Sequence, residues 1–267
     1  MSVRYHISRV VRFFCGKIRP RTCAIIVAAG SGKRMGEQVA PKQFLTLDGI
    51  PVLAHTMMAF EKCKYIDEII VVAQKEHSAL VRSIAGDYNI KKLSHIVQGG
   101  NERSESVLNG MTAVGEKTGF VAIHDAARCL ITPDQISAVV SAAYAYSAAS
   151  AGAPVKDTVK RVGANGFIIE TPPRTEMWNA STPQVFNAAM YRAAAISACK
   201  EKLSCTDDNM IMEHIGQRVK MVDVGYENIK LTTPEDLVAM EAIIKNRKIR
   251  AEENIKKKKS HKMQKKG

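Results

Sequence analysis

Near-continuous apolar runs alternate along the chain with segments of helical periodicity. Three of these runs are CAIIVAA at 23–29, EIIVVA at 68–73 and FVAIHD at 120–125. A run without polar alternation is typical of a strand buried on both faces of a parallel sheet. In the segment 51–63 the apolar residues instead recur every three or four positions, as on one face of a helix. This alternation predicts an α/β fold with a doubly wound, mostly parallel sheet.

The same patterns set the bounds of the predicted elements. Strands are expected at 23–29, 68–73, 95–98, 120–125 and 219–224. Helices are expected at about 51–63, 75–86, 103–115, 133–147, 187–201, 207–215 and 234–247. Pro234 suits the first position of the last helix, because a backbone N–H there would have no partner within the helix.

The α/β rhythm is interrupted after residue 148. Two short β-like runs, at 157–162 and 167–171, flank Gly163-Ala164-Asn165-Gly166. Asn-Gly between two such runs is typical of a β-hairpin. We therefore predict a projecting β-hairpin arm over about 153–175. Arms of this kind often embrace a second subunit.

The first predicted strand ends in a glycine-rich, cationic loop. Gly30-Ser31-Gly32 follows the strand, and Arg34 and Lys42 come after it. A strand that ends in a glycine turn brings backbone N–H groups close to phosphate oxygens, and fixed cations complete a polyphosphate site. The spacing matches neither GxxxxGK[ST] nor GxGxxG, which excludes two familiar phosphate-binding motifs. We predict nucleotide binding; the alternative is a plain glycine turn with solvated basic residues.

Two further strand ends carry polar sequences, GGNERSES at 99–106 and HDAAR at 124–128. Because the carboxyl ends of parallel strands meet at one edge of the sheet, we expect these segments to form a common ligand site with the first loop. Two interpretations of Asp125 remain open. It either contacts the nucleotide or its Mg²⁺, or it has a structural role as an ion-pair partner of Arg128 or as a helix N-cap. His124 is expected to pack in the core.

The formal net charge of +13 belongs to the two ends of the chain. Residues 1–22 carry +6 and residues 245–267 carry +9, which leaves −2 for residues 23–244. We therefore expect a basic N-terminal extension over 1–22, a catalytic domain over 23–246 and a disordered Lys-rich tail over 247–267. No specific nucleic-acid partner is expected of a near-neutral body. Weak contact of the tail with RNA or anionic lipid is the alternative.

Cysteine usage and the N-terminal apolar run exclude further classes. The six cysteines form no CxxC pair, so neither a zinc site nor a disulfide framework is expected. The apolar run at 10–14 is broken by Arg12 and is too short for a membrane span. Without an export signal, a cytoplasmic location is expected.

The remaining candidates for chemistry are cations and hydroxyls. A set of this kind suits nucleotidyl transfer, where positioning and charge stabilisation dominate. The attacking phosphate oxygen is already ionised, so no general base is required. Magnesium is expected to bridge the triphosphate. The candidates are Arg34, Lys42, Arg103, Ser106, Arg128, Lys156, Thr158, Arg174, Thr206 and Lys230.

Together these residues resemble a known family, the 2-C-methyl-D-erythritol 4-phosphate cytidylyltransferases of non-mevalonate isoprenoid synthesis. The resemblance covers about 23–246 in the family's order and implies a Rossmann-like nucleotidyltransferase fold, CTP and methylerythritol phosphate as substrates, a divalent cation (Mg²⁺) and a homodimer joined by the arm. Two departures are Cys129, where the family has Pro, and about one extra residue between Arg34 and Lys42. The matching stretches are AAGSGKRMG (28–36), PKQ (41–43), GGNERSESV (99–107), HDAAR (124–128), APVKDTVKR (153–161), TPQVF (182–186), TDD (206–208) and NIKLTTPEDL (228–237).

The resemblance also implies a role for each matching residue. Arg34 and Lys42 correspond to the pair that acts at the CTP α-phosphate, and Arg174 and Lys230 to the pair that positions the acceptor. The implied nucleotide contacts are Ala28, Ala29, Gly30, Gly32, Gly100, Asn101 and Ser106. The implied acceptor contacts are Asp125, Arg128, Thr158 and Thr206. Arg174 is expected to act in the site of the neighbouring subunit. No metal ligand is assigned with certainty, because the phosphates would hold most of the Mg²⁺, with Asp125 as a candidate.

Three alternatives remain open. A D-ribitol-5-phosphate cytidylyltransferase would share the fold, the CTP site and the mechanism. A non-catalytic nucleotide-binding regulator would leave the four cations unexplained. An RNA-binding protein would depend on the basic ends of the chain rather than on its near-neutral body.

Overall fold

The computed structural model describes residues 19–30 and 41–264, with 257–264 as backbone only, so that Gly32 and Arg34 lie outside the described residues. The strands are β1 (Thr22–Val27), β2 (Thr46–Leu47), β3 (Ile50–Pro51), β4 (Glu68–Ala73), β5 (Leu93–Gln98), β6 (Phe120–Asp125), β7 (Ala148–Pro154), β8 (Arg161–Val162), β9 (Ile168–Glu170), β10 (Trp178–Asn187) and β11 (Lys220–Asp223). The helices are α1 (Val52–Lys62), α2 (Ser78–Asp87), α3 (Arg103–Thr112), α4 (Pro133–Tyr146), α5 (Ala188–Lys200), α6 (Asp208–His214) and α7 (Pro234–Gln264).

Seven strands form the central sheet, in the order β11-β7-β10-β6-β1-β4-β5. β6 lies at the middle, and β1, next to it, pairs in parallel with both β4 and β6. β10 is antiparallel to its neighbours β6 and β7, and the other pairings are parallel. The prediction of a mostly parallel α/β sheet is therefore confirmed.

Helices cover both faces of this sheet, and successive side chains of β1 point alternately into the two helical layers. Ile26 faces the side covered by α1, α2 and α4, where Phe60 and Val139 are fully buried. Ile25 faces the side covered by α3, α5 and α6, where Met111 and Tyr191 are buried. Both faces of the sheet are therefore apolar, which explains why its strands lack polar alternation.

Two strands of the sheet, β7 and β10, were not predicted. The β7 sequence AASAGAP contains none of the β-branched or aromatic residues that favour strands. Its Gly152 is required by close packing, since a Cβ there would lie 2.4 Å from Met221 Cε and 2.9 Å from the Asn179 oxygen. β10 contains Pro183, and its pairing register with β7 shifts between Ala180 and Gln184. A proline at such an irregularity removes no regular ladder bond.

The predicted hairpin is present, formed by antiparallel β8 and β9. These strands are shorter than the predicted runs. The hairpin exposes a group of large apolar side chains to solvent, with Phe167 at 73%, Ile168 at 60%, Ile169 at 57% and Val162 at 50%.

The last helix extends to Gln264, whereas the sequence predicts that it ends near 247. The segment 248–264 contains no Gly or Pro, and six of its 17 residues are Lys, a favourable helix residue. Ion pairs also fix this helix to the body, from Arg247 to Glu227 at 2.7 Å and from Lys248 to Asp48 at 2.7 Å. Within the described ranges no helix is long and apolar enough to cross a membrane.

Candidate active site

A cleft of about 870 Å³ opens at the carboxyl ends of β1, β4, β5 and β6. The three polar strand ends meet there, as predicted from parallel pairing. The predicted site residues that line this cleft are Ala28, Ala29, Gly30, Lys42, Gly100, Asn101, Ser106, Asp125 and Lys230.

Two amide side chains, one buried and one partly buried, hold the turn that follows β1. Gln43 Nε2 donates to the Ala28 carbonyl oxygen at 2.7 Å, and Gln74 Nε2 donates to the Ala29 carbonyl oxygen at 2.8 Å. Lys42 begins a short 3-10 helix on the wall of the cleft, directly before Gln43. Neither glutamine is among the site residues predicted from the sequence. Gln43 belongs to the PKQ stretch, but nothing local predicts that Gln74, just after β4, reaches the first loop.

The turn after β5 is folded by two side chains of α3. Ser106 Oγ accepts the Gly100 N–H at 3.0 Å, and Glu105 Oε2 accepts the Asn101 N–H at 2.7 Å. A Cβ on Gly99 would lie 2.2 Å from the Ala29 Cβ, well inside contact distance. Glycine is therefore required for this turn to approach the turn after β1.

Asp125, at the end of β6, gathers three cations. Lys230 Nζ lies 2.8 Å from Oδ2, Arg103 Nε lies 3.1 Å from Oδ1, and Arg128 Nε lies 3.8 Å from Oδ2. Burial raises the pKa of Asp125, but the Arg103 and Lys230 charges outweigh burial and hold this pKa well below its usual range. The ion pair expected with Arg128 is therefore the longest of the three, and Asp125 is a carboxylate at neutral pH.

A buried hydroxyl fixes the backbone below Asp125. Thr182, in β10, accepts the Asp125 N–H at 3.1 Å and donates to His124 Nδ1 at 3.0 Å. His124 Nε2 donates to the Arg128 carbonyl oxygen at 3.2 Å, which requires the proton to be on Nε2. Burial lowers the pKa of His124 to about 3. His124 is thus packed and neutral, as expected, whereas Thr182 was missed as a residue that shapes the site.

Four of the predicted site residues that the structure describes do not line the cleft. Arg128 lies behind Asp125 and donates to the Asn228 carbonyl oxygen at 3.0 Å. Arg174 lies on the arm, where its guanidinium donates to the Lys156 carbonyl oxygen at 2.9 Å. Thr158 and Thr206 are exposed away from the cleft. The cleft of this chain therefore lacks the predicted arm residues Thr158 and Arg174.

The side chains of the cleft suit a metal ion that is bound mainly by the phosphates of a ligand. Among the described residues no group of three His, Cys, Asp or Glu side chains is arranged to hold a metal ion. Asp125 offers a single carboxylate, and its oxygens face Arg103 and Lys230. With Lys42 on the wall, this edge of the sheet suits a polyanion that carries its own cation.

Comparison with known proteins gives one family. The family model for 2-C-methyl-D-erythritol 4-phosphate cytidylyltransferase matches residues 22–246. The chain is 43% identical to the protein of that name from Pelotomaculum thermopropionicum, over 87% of this chain and 98% of the relative. It is 44% identical to the protein of that name from Alkaliphilus oremlandii, over 85% of this chain and 97% of the relative.

Solved structures agree with this similarity. The 4-diphosphocytidyl-2C-methyl-D-erythritol synthase from Anaerococcus prevotii superposes with a TM-score of 0.77 at 28% identity, covering 85% of this chain and 96% of that one. The 2-C-methyl-D-erythritol 4-phosphate cytidylyltransferase from Thermus thermophilus gives 0.67 at 25% identity, covering 83% and 98%. The similarity extends over nearly the whole length of both solved chains.

Proposed function

This chain belongs to the 2-C-methyl-D-erythritol 4-phosphate cytidylyltransferase family, and from that premise we propose how its residues perform the reaction. The enzyme transfers CMP from CTP to 2-C-methyl-D-erythritol 4-phosphate in isoprenoid biosynthesis, giving 4-diphosphocytidyl-2-C-methyl-D-erythritol and pyrophosphate. The observation that carries the proposed roles is that one cleft contains both Lys42, on its wall, and Lys230, beside Asp125 at the end of β6.

CTP binds along the ends of β1 and β5. Lys42 and the turn at Gly30 face the triphosphate, and the sequence resemblance assigns Arg34 to the same role. Gly100, Asn101 and Ser106 form the end of the cleft that receives the cytosine and ribose. The acceptor phosphate oxygen attacks the α-phosphorus, the bond to the β-phosphate oxygen breaks, and pyrophosphate leaves. These cations offset the charge that develops on the leaving group.

The acceptor binds beside Lys230. Its phosphate is largely ionised near neutral pH, because the second pKa of such a group is about 6. The attack therefore needs a group that grips the phosphate rather than one that removes a proton. Lys230 supplies this grip while Asp125 holds its ammonium at 2.8 Å. Arg128, Thr158 and Thr206 complete the acceptor side.

We include Mg²⁺ in the proposal as an ion bound mainly by the CTP phosphates, with Asp125 as the candidate protein ligand. When bound, it would neutralise phosphate charge and orient the triphosphate. The protein's own part is to keep Asp125 ionised and Lys42 and Lys230 in place.

A second copy of the chain is also part of the proposal. The exposed apolar group on the arm, from Val162 to Ile169, is of the kind that another protein surface covers. Arg174 follows this group along the same arm and lies outside the cleft of its own subunit. A dimer in which arms exchange would bring Arg174 to the partner's acceptor phosphate. We place this dimer in the cytoplasm.

Pyrophosphate release with CTP and Mg²⁺ tests the reaction, comparing 2-C-methyl-D-erythritol 4-phosphate with D-ribitol 5-phosphate. Fast release with the first acceptor alone is the expected result. Fast release with ribitol phosphate alone would keep the CTP site and replace the acceptor. Release with neither acceptor, from a folded and CTP-binding protein, would favour a nucleotide-binding regulator and contradict the proposal.

A further inference from the structure

Arg103 joins the acceptor side of the cleft to a buried carboxylate outside it. Its Nε lies 3.1 Å from Asp125 Oδ1, and its Nη1 lies 2.7 Å from Asp208 Oδ2. Asp208 is only 1% exposed and does not line the cleft. One guanidinium therefore forms ion pairs with two carboxylates that come from different elements, β6 and α6.

Asp208 is itself held from two further directions. The Tyr191 hydroxyl, from α5, donates to Asp208 Oδ1 at 2.6 Å. The Asp208 N–H donates to Gln184 Oε1, in β10, at 2.9 Å. Burial and the Asp208 charge both raise the pKa of Tyr191 well above its ordinary value, so the phenol remains a donor. Asp208 is thus a fixed anchor and not a mobile surface acid.

The position of Arg103 explains why an anchor is needed. Arg103 is the first residue of α3, and a cation at a helix N-terminus is opposed by the helix dipole. An arginine without a second partner would turn its planar fork to one carboxylate and bind both of its oxygens. The second oxygen of Asp125 is the one that Lys230 contacts. The pull of Asp208 on Nη1 keeps Arg103 away from that oxygen.

We propose that Asp208 is a positioning residue for Lys230: it holds one end of the Arg103 guanidinium, so that Arg103 takes one oxygen of Asp125 and leaves the other to Lys230. The inference rests on the proposed role of Lys230 in gripping the acceptor phosphate. Asp208 touches neither substrate. It acts through Arg103 and Asp125, and Tyr191 supports it from α5.

The test is Asp208→Asn, which keeps the shape of the side chain and removes its charge. Arg103 then turns fully to Asp125, and Lys230 loses its fixed position. We expect KM for the acceptor to rise about tenfold and KM for CTP to change less than about twofold. Asp207→Asn is the matched control, because it removes the same charge one residue earlier. Asp207 contacts Gln184, Asn209 and the Met210 N–H and makes no contact with Arg103.

A double-variant cycle separates this role from a merely structural one. If Asp208 acts only through Arg103, then Asp208→Asn adds nothing to Arg103→Met, and the double variant has the acceptor KM of Arg103→Met alone. Additive effects would overturn the inference. Tyr191→Phe serves if Asp208→Asn fails to fold, because the ring keeps its stacking on Phe186 at 5.1 Å. It is expected to raise the acceptor KM about two- to threefold.

Lys230→Ala, measured beside these variants, tests the role of Lys230 separately from the positioning role of Asp208. An unchanged acceptor KM in Lys230→Ala would contradict the proposed role of Lys230 itself. A raised KM in Lys230→Ala together with an unchanged KM in Asp208→Asn and Tyr191→Phe would leave that role standing and overturn the positioning role of Asp208.

Discussion

Gln43 donates its side-chain amide to the carbonyl oxygen of Ala28 at 2.7 Å. This bond joins the short helix that begins at Lys42 to the residue that follows the first strand. Gln43 is only 2% exposed, so it has no freedom to leave. The backbone of Lys42 is thereby fixed relative to the edge of the sheet where the triphosphate is proposed to bind.

Lys42→Ala should therefore reduce turnover far more than CTP binding. Loss of one preorganised charge at a developing anion typically lowers kcat by about 10²–10³-fold. We expect a change in the Kd for CTP of less than about tenfold. Single-turnover kinetics and equilibrium binding give the two quantities separately. Lys75→Ala is the control, since this exposed lysine lies outside the cleft. A Lys42→Ala enzyme with normal turnover would sink the assigned mechanism.

Arg174 should act in the partner's site if the arms exchange. Arg174→Ala and Lys42→Ala are each expected to be nearly inactive as pure homodimers. When the two are unfolded together and refolded as a mixture, a mixed dimer contains one site with both residues intact. About a quarter of all sites in an equal random mixture would then be active. Activity that stays at the level of the separate variants would place Arg174 in its own subunit's site.

Gly99→Ala should damage the CTP end of the cleft. The added methyl would meet Ala29 Cβ at 2.2 Å, so one of the two turns has to move. We expect a KM for CTP raised about tenfold or more, with a lower Tm. Gly86→Ala is the matched control, because it lies in α2 with open space around it and should stabilise the helix by up to about 1 kcal/mol. A Gly99→Ala enzyme with ordinary CTP affinity would show that the close approach is dispensable.

His124 should make stability depend on pH in the weakly acidic range. Its pKa is about 3 in the folded chain against an ordinary value of 6.5, so the unfolded chain binds a proton that the folded chain does not. Neutral His124 therefore contributes fully to the free energy of unfolding above pH 6.5. As pH falls below this value, the free energy of unfolding decreases by about 1.4 kcal/mol per pH unit for a single proton. Carboxylates such as Asp125 have lowered pKa values and lose their contributions below about pH 4.

Denaturant unfolding between pH 5 and 6.5 measures this slope. His124→Gln keeps an amide that can donate to the Arg128 carbonyl oxygen and removes the titration. The variant should be less stable at pH 7, but its stability should fall less steeply with acid, by the equivalent of one proton. Equal slopes for the two proteins would mean that His124 is protonated in the folded chain.

The local patterns were sufficient to predict the frame of the fold. β1, β4 and β6 are continuous apolar runs, because both faces of the sheet are covered and nothing in their sequence competes with a strand. β7 and β10 could not be found in this way. AASAGAP is made a strand by its neighbours, whose close approach leaves no room for larger side chains at Gly152. The predicted end of α7 lies too early in the chain, because a run of lysines is typical of solvated chain as well as of an exposed helix.

The same distinction separates the site residues that could be predicted from those that could not. Residues at or just after the end of a strand, such as Gly30, Gly100 and Asp125, could be predicted because topology alone brings strand ends together. Thr182 and Asp208 could not, because their partners His124 and Arg103 are distant along the chain and the contacts depend on packing. No local motif records that a threonine in one strand orients the backbone of its neighbour.

β10 has a consequence for how this chain can vary in length. The loop at Gly163–Gly166 lies at the tip of the hairpin, so residues added there would lengthen the arm and leave the sheet unchanged. One residue added between Ala180 and Thr182 would instead turn every later side chain of the strand to the opposite face. Thr182 would leave His124, and Gln184 would leave Asp208. Insertions and deletions among natural relatives should therefore gather at the tip of the arm and be absent from this irregular stretch of β10.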